Sequence, residues 1–351
     1  GIDQGDLYVE RVNPSSPDQY LYKGEWRKFI VVKDTVMVKG EKTPQTVELR
    51  YTLHGPVIHE DRTRNRAYAL RWVGSEPGSA GYLAALSLMR ARNWAEFRAG
   101  LANYKVPSEN LVYADVDGNI GWQASGLAPI RENWSGLFPL PGHTGEYEWK
   151  GFRAARELPS SYNPSNHFIA TANHNILPAG YTIPLGYEWA LPFRFQRIKE
   201  MLAVGRKFTV ADFERMQQDV TSIPARRFQA ILRKWDPPPA KRLVVQQILD
   251  WNAVLNSDSA AAAIYETWIS ALPGAIFGPQ LGARVDLRTT LEKLEREPDP
   301  KALAAALDSV IAALEKSQGS DRKSWSWGWL HRVRFLHPVP GVPGAGEFAR
   351  P

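Results

Sequence analysis

The chain has 351 residues, 44% of them hydrophobic, a formal net charge of +6 and no cysteine. That supplies a sizeable core for one large domain or two ordinary ones, and it excludes disulfides, thiolate metal sites and cysteine nucleophiles. No run of 18 apolar residues occurs, the start "GIDQGDLYVE" has neither a basic nor an apolar stretch, and an initiator Met is missing; no membrane span or signal peptide is expected, and the start is expected to lie inside a longer gene product.

Up to about residue 191 the chain reads mainly as strands and turns. "TVELRYTLHGPVI" sets Val47, Leu49, Tyr51 and Leu53 at the two-residue period of a half-buried strand. "NWAEFRAGL" interrupts with a helix, Asn93 as N-cap and Glu96 three residues on in a capping-box pattern. "LVYADVDGNIGWQASG" reads as a hairpin turning at Asp117-Gly118; an EF-hand loop shares the Asp115-x-Asp117-Gly118 spacing but lacks the closing acidic residue. "FIATANHNILPAG", Phe168 to Gly180, reads as an apolar strand running into a polar turn. On these residues alone Asn173, His174 and Asn175 fit turn formers, metal ligands and amide donors alike.

Residues 192–323 read mainly as helices. Thr209 caps one in "TVADFERMQQDV", and "PARRFQAILRKW" (Pro224 to Trp235) spaces Phe228, Ile231 and Leu232 as a helical stripe with a solvated basic face, so nucleic acid is not an expected partner. "KRLVVQQILDWNAVL" and "AAAAIYETWISAL" follow as apolar-rich helices. Asp299 caps the clearest, with Pro300 at the first helical position and Leu303, Leu307, Val310, Ile311 and Leu314 in one stripe. Residues 324–351, beginning "WSWGWLHRVRFLHPV", return to strand texture. No internal repeat or low-complexity linker occurs. The expectation is a single α+β domain over 1–351, with helices inserted in a sheet-forming chain.

Common self-contained active sites are missing from the sequence: no G-x-S-x-G elbow, no Walker-type loop, no G-x-G-x-x-G after a strand and no H-E-x-x-H. "SDRK" (Ser320 to Lys323) matches S-x-x-K but lies in a polar loop. His54 with His59, and His331 with His337, lack zinc-helix spacing, so structural roles are expected for them. What remains is much strand, 13 Trp, 13 Tyr and 13 Phe, and no visible nucleophile. Either the chain is a binding module with an aromatic-lined ligand pocket, or its nucleophile lies outside it.

Six stretches in order, "DQGDLYVERVNPSSPDQYLYKGEWRKF", "YTLHGPVI", "ENLVYADVDGNIGWQASGLAPIR", "PGHTGEYEWKGF", "FIATANHN" and "PFRFQRIKEML", resemble the nucleophile-bearing subunit of the penicillin acylases, relatives of the acyl-homoserine-lactone acylases. The resemblance is strongest from Asp3 to about Arg197. It implies a four-layered αββα N-terminal-nucleophile hydrolase sandwich, here incomplete at both ends. It also implies hydrolysis of the linear amide of an N-acylated amine such as a penicillin, an acyl homoserine lactone or an N-acyl amino acid. In that family a precursor cuts itself to expose a Ser whose own α-amino group acts as base. That Ser would precede Gly1, so this chain alone is expected to be inactive.

The resemblance also implies roles for particular residues. Asn173 falls on the side-chain donor of the oxyanion hole, and Arg194 on an arginine that orients the nucleophile region. Glu109 and its neighbours in "KVPSEN" lie near positions that line the acyl pocket, where an acidic side chain is unusual. Asp3, Gly5 and Asp6 match a stretch that binds structural calcium, with Gly136 near a further carbonyl ligand; a later acidic ligand aligns instead with the apolar region around Ile183, and another comes from the smaller subunit. No cofactor is implied for catalysis. A smaller subunit from the same precursor is the implied partner, and a periplasmic or secreted location the implied compartment.

Overall fold

The computed structural model describes residues 1–79, 83 and 85–333. The chain divides into two compact units, Gly1–Ala190 and a second beginning at Leu191.

The first unit is built on strands β1 (Gly5–Asn13), β2 (Ser16–Tyr22), β3 (Glu25–Lys28), β4 (Ile30–Val36), β5 (Gln45–Thr52), β6 (Gly55–Asp61) and β7 (Arg66–Trp72). They form one sheet in the order β3-β2-β1-β7-β6-β5-β4, with β10 (Leu140–Pro141) added parallel to the middle of β1, at Tyr8 and Val9. β2 and β3 turn through Lys23 and Gly24, both at positive φ, the geometry of a tight hairpin whose twist matches that of its strands. β8 (Glu109–Ala114), β9 (Ile120–Ser125) and β11 (Ser160–Tyr162) make a second sheet in the order β11-β9-β8.

The hairpin expected at Asp117-Gly118 joins β8 to β9. Asp115 Oδ1 accepts the backbone N–H groups of Asp117 and Asn119, and Gly118 sits at φ 85°, so this carboxylate closes a turn. Helices α1 (Ala85–Leu88) and α2 (Trp94–Leu101) precede it. The Asn93 side chain caps α2 through the Glu96 N–H, while Glu96 reaches back to the N–H of Arg92, one residue beyond the capping-box partner.

Two strand expectations are corrected. β5 alternates as read, but Leu49 and Leu53 are each 40% exposed while Thr52 and His54 on the opposite face are buried. The cause is Glu10, fully buried on β1, which draws hydrogen-bonding side chains to that face. Phe168–Thr171 is not a strand. Ile169 packs on the Trp122 cluster, and a side-chain bond from Asn110 to Thr171 ties the segment to β8 in place of a backbone ladder.

The described part of the second unit is helical: α3 (Phe193–Leu202), α4 (Val210–Gln217), α5 (Ile223–Leu232), α6 (Arg242–Asp250), α7 (Ala260–Phe277), α8 (Pro279–Gly282), α9 (Leu287–Arg296), α10 (Pro300–Gln318) and α11 (Trp327–Leu330). Its core centres on Trp268, Leu272 and Ile264 of α7, Phe228 of α5, Leu294 of α9 and Leu303 and Leu307 of α10, all fully buried. α7 is long and apolar enough to span a bilayer by length and composition, yet it buries eight side chains inside this unit, as a core helix does. Within the stretch expected to return to sheet, Trp327–Leu330 is a helical turn; residues 334–351, His337 among them, lie outside the described residues.

Candidate functional site

Asn173 sits in a bend with φ 59°, a left-handed conformation that Asn tolerates better than most residues. Its neighbours Ala172 and His174 are buried and act as anchors, while Asn173 itself is exposed. Burial depresses the His174 pKa, which favours the neutral ring. The Asn173 carbonyl accepts the N–H of Ala190 at 2.8 Å, and the Asn175 side chain accepts the N–H of Leu177. From β8, Asn110 donates to Thr171 Oγ1 and accepts the indole N–H of Trp122 at 2.8 Å. The bend is therefore held on both sides, and the turn that the residues alone suggest does form.

A small cleft of about 70 Å³ opens beside it, lined by Asn173, Glu109, Asn110, Ile176, Trp189 and the chain start at Gly1. Ser108 Oγ accepts the N–H of Ile2, which fixes the start of the chain against β8. Asn173 and Glu109, singled out separately in the sequence, thus share one cleft. Ser108 and Asn110, the neighbours of Glu109 in "KVPSEN", line it too, whereas Trp189 was missed, because an isolated aromatic residue carries no periodic signal.

Arg194 belongs to the second unit. It is exposed at the second position of α3 and lines a cavity of about 650 Å³ whose wall includes Phe193, Ile198, Met201, Met216, Ile223 and Trp327. Arg197 has a structural partner: its Nε and Nη2 donate to Asp219 at 2.8 and 2.7 Å, and its Nη1 to Glu200. The bond from Arg197 holds the Asp219 carboxyl down at about 2, while burial pushes up that of Glu266, another wall residue.

The four expected calcium positions converge, and Arg131 lies among them. Its Nε donates to Asp6 Oδ2 at 2.8 Å, its Nη2 to the Gly5 carbonyl at 2.9 Å, and its Nη1 is 3.2 Å from Asp3 Oδ2. The indoles of Trp149 and Trp134 also donate to Asp6 Oδ2, at 2.6 and 3.3 Å. Gly136, at φ 86°, comes so close that a Cβ there would meet Asp3 Oδ2 at 2.7 Å and Arg131 Cζ at 2.9 Å. Ile183 packs with the Trp122 cluster. Among the described residues no group of three or more His, Cys, Asp or Glu side chains is arranged to hold a metal.

A second buried network escaped the sequence reading. His54 Nδ1 lies 2.7 Å from Glu10 Oε1 and Nε2 lies 2.9 Å from Glu148 Oε1, with the Tyr8 ring stacked on the imidazole at 3.8 Å. Only a doubly protonated ring donates to both carboxylates. Burial alone would lower the His54 pKa, but the bonds to Glu10 and Glu148 outweigh it and hold the value above the ordinary one.

A sequence model of the family described as penicillin amidase matches residues 1–350. The chain belongs to the penicillin amidase family. Similar proteins include the acyl-homoserine lactone acylase QuiP of Pseudomonas fluorescens (strain Pf0-1), 27% identical over 384 residues, covering 95% of this chain and 46% of that protein. The penicillin G acylase of Escherichia coli is 35% identical over 176 residues, 49% of this chain and 20% of its own. A solved structure, the thermostable penicillin G acylase from Alcaligenes faecalis, superimposes with a TM-score of 0.78 at 23% identity over 93% of this chain and 68% of that chain. The α+β fold of this penicillin amidase chain is thus the N-terminal-nucleophile hydrolase fold of penicillin acylases. The chain spans about half the length of the curated acyl-homoserine lactone acylases it matches.

Proposed function

We propose that the protein containing this chain is an acylase that hydrolyses the linear amide of an N-acylated amine such as a penicillin, an acyl homoserine lactone or an N-acyl amino acid. An N-terminal Ser outside the chain is the nucleophile and its α-amino group the base, a suitable one because its ordinary pKa is about 7.7–8.0. Asn173 donates its side-chain amide to the oxygen that becomes negative in the tetrahedral intermediate. Arg194 orients the nucleophile region by charge-assisted hydrogen bonds, and Glu109 lines the site where substrate binds. A smaller subunit cut from the same precursor completes the enzyme, in a periplasmic or secreted setting.

The observation that carries this reading is the family match over residues 1–350, together with an Asn173 whose side chain is exposed at a cleft while its neighbours are buried. A preorganised donor of this kind is worth several kcal/mol only if its backbone cannot relax. The anchored bend supplies that condition.

The test uses the full, processed protein against a panel of chromogenic acyl amides and acyl homoserine lactones. Release of acid or amine from at least one is expected; hydrolysis of none overturns the reading in favour of a binding module. Asn173→Gly tests the site, because Gly accepts the left-handed backbone that Ala resists and so separates the lost amide from strain. We expect a rate loss of about 100-fold or more with an unchanged melting temperature. Full turnover in this variant removes Asn173 from the mechanism.

A further inference from the structure

We propose that the Arg131 guanidinium is the resident cation of the acidic turn at Asp3–Asp6, standing where the family resemblance implies calcium, so that this protein needs no divalent ion there. The geometry differs from that of a metal site in kind. Calcium takes six to eight oxygens at about 2.3–2.6 Å around a single point. Here two oxygens accept N–H groups from separate nitrogens of one planar fork, at 2.8 and 2.9 Å, and a third lies 3.2 Å from the remaining nitrogen as an ion pair.

One of the two Asp6 oxygens is also spent. Asp6 Oδ2 takes the Arg131 Nε and two indole N–H groups, three donors for one carboxylate oxygen, which leaves no lone pair for a metal. Its partner Oδ1 is buried without a hydrogen-bond partner and Asp3 Oδ1 accepts only the Gly5 N–H at 3.4 Å, two carboxylate oxygens where calcium takes six to eight ligands. Arg131 cannot swing aside cheaply, since its side chain is only 10% exposed and Gly136 closes over it. A cation entering this turn would have to displace a buried guanidinium that already neutralises Asp6.

The test reads stability and metal content in the full, processed protein, and so stands apart from turnover. After dialysis against a chelator, we expect elemental analysis to find well under one calcium per molecule, and the melting temperature to be the same in chelator and in millimolar calcium chloride. Arg131→Met is expected to melt about 5 °C lower or more and to recover part of that loss in calcium, because its turn then offers unpaired oxygens. Arg131→Lys keeps the charge and is expected to fold and to ignore calcium even if the Met variant does not fold. Retention of one calcium by the chelated native protein, or a native melting temperature that falls on chelation, overturns the proposal.

Discussion

At the scale of single residues the strongest constraint is a buried charge. Glu10 and His54 have no exposed side-chain surface, and Thr52 Oγ1 adds a hydrogen bond to Glu10 at 2.8 Å. Glu148 also faces Arg71 and the Tyr22 hydroxyl, and although burial would raise its pKa, the bond from His54 and then the charges of His54 and Arg71 carry it below the ordinary value. These shifts set a pH dependence. A histidine whose pKa is raised on folding stabilises fully below its unfolded value, about 6.5, and that contribution is lost as pH rises through the folded value. A carboxylate whose pKa is lowered stabilises above its unfolded value, and the contribution is lost as pH falls through the folded one. We therefore expect the melting temperature to decline on the alkaline side above pH 6.5. In His54→Gln, which has no titrating ring, that decline should be shallower, from a lower starting stability near pH 6. Parallel curves for the two proteins between pH 6 and 9 would exclude the imidazolium. Alternation made Thr52 and His54 legible as the polar face of β5, but not as the buried one, since only the pairing of β1, β7 and β6 brings that end of β5 to Glu10. Arg131 was hidden for the same reason: it meets Asp6 across 125 positions of chain.

At the scale of elements, what the sequence showed best was the helix with both a cap and a stripe. α10 has Asp299 accepting the N–H of Ala302 at 2.9 Å, Pro300 at the first turn, and Leu303, Leu307, Val310 and Leu314 buried within 1% of full coverage. Each buried aliphatic side chain contributes about 1.5–3 kcal/mol relative to exposure, so the stripe dominates the cap. Asp299→Ala should accordingly cost only about 1 kcal/mol, whereas Leu307→Ala should cost about 2–5 kcal/mol, both read as shifts in denaturant midpoint at constant slope. A larger loss from the cap than from the core would reverse this order. α9 went unread, because its buried Thr290, Leu291 and Leu294 lie among charged residues and give a short stripe. The aromatic run at Trp325 read as strand, yet Trp325 is fully buried with its indole N–H on the Gly319 carbonyl, a helix-end contact that strand periodicity cannot anticipate.

At the scale of the whole molecule, the change of texture near residue 191 falls at the boundary between the two units, because strand and helix periodicity are local properties. The order of the large sheet is not local. β1 pairs with β7 some 60 positions away and with β10 beyond 130, and no pattern inside either strand specifies that choice. The same contrast predicts where the chain is least protected. α7 and α10 lie in the largest buried cluster, with Trp268 donating its indole N–H to the Leu303 carbonyl. β4 is exposed along its whole length, including Ile30, Val31, Val32 and Val36, and β5 reaches burial only at Thr52. Local opening is easiest where few apolar contacts must be broken and backbone hydrogen bonds face water. In hydrogen exchange on this chain, amides of the β4–β5 hairpin should therefore exchange well before those of α7 and α10. The order should persist at low denaturant, since opening the hairpin leaves the α7–α10 core intact. Equal protection of the hairpin and the two helices would mean that the chain opens only as a whole, and that the hairpin is held by something other than its own ladder.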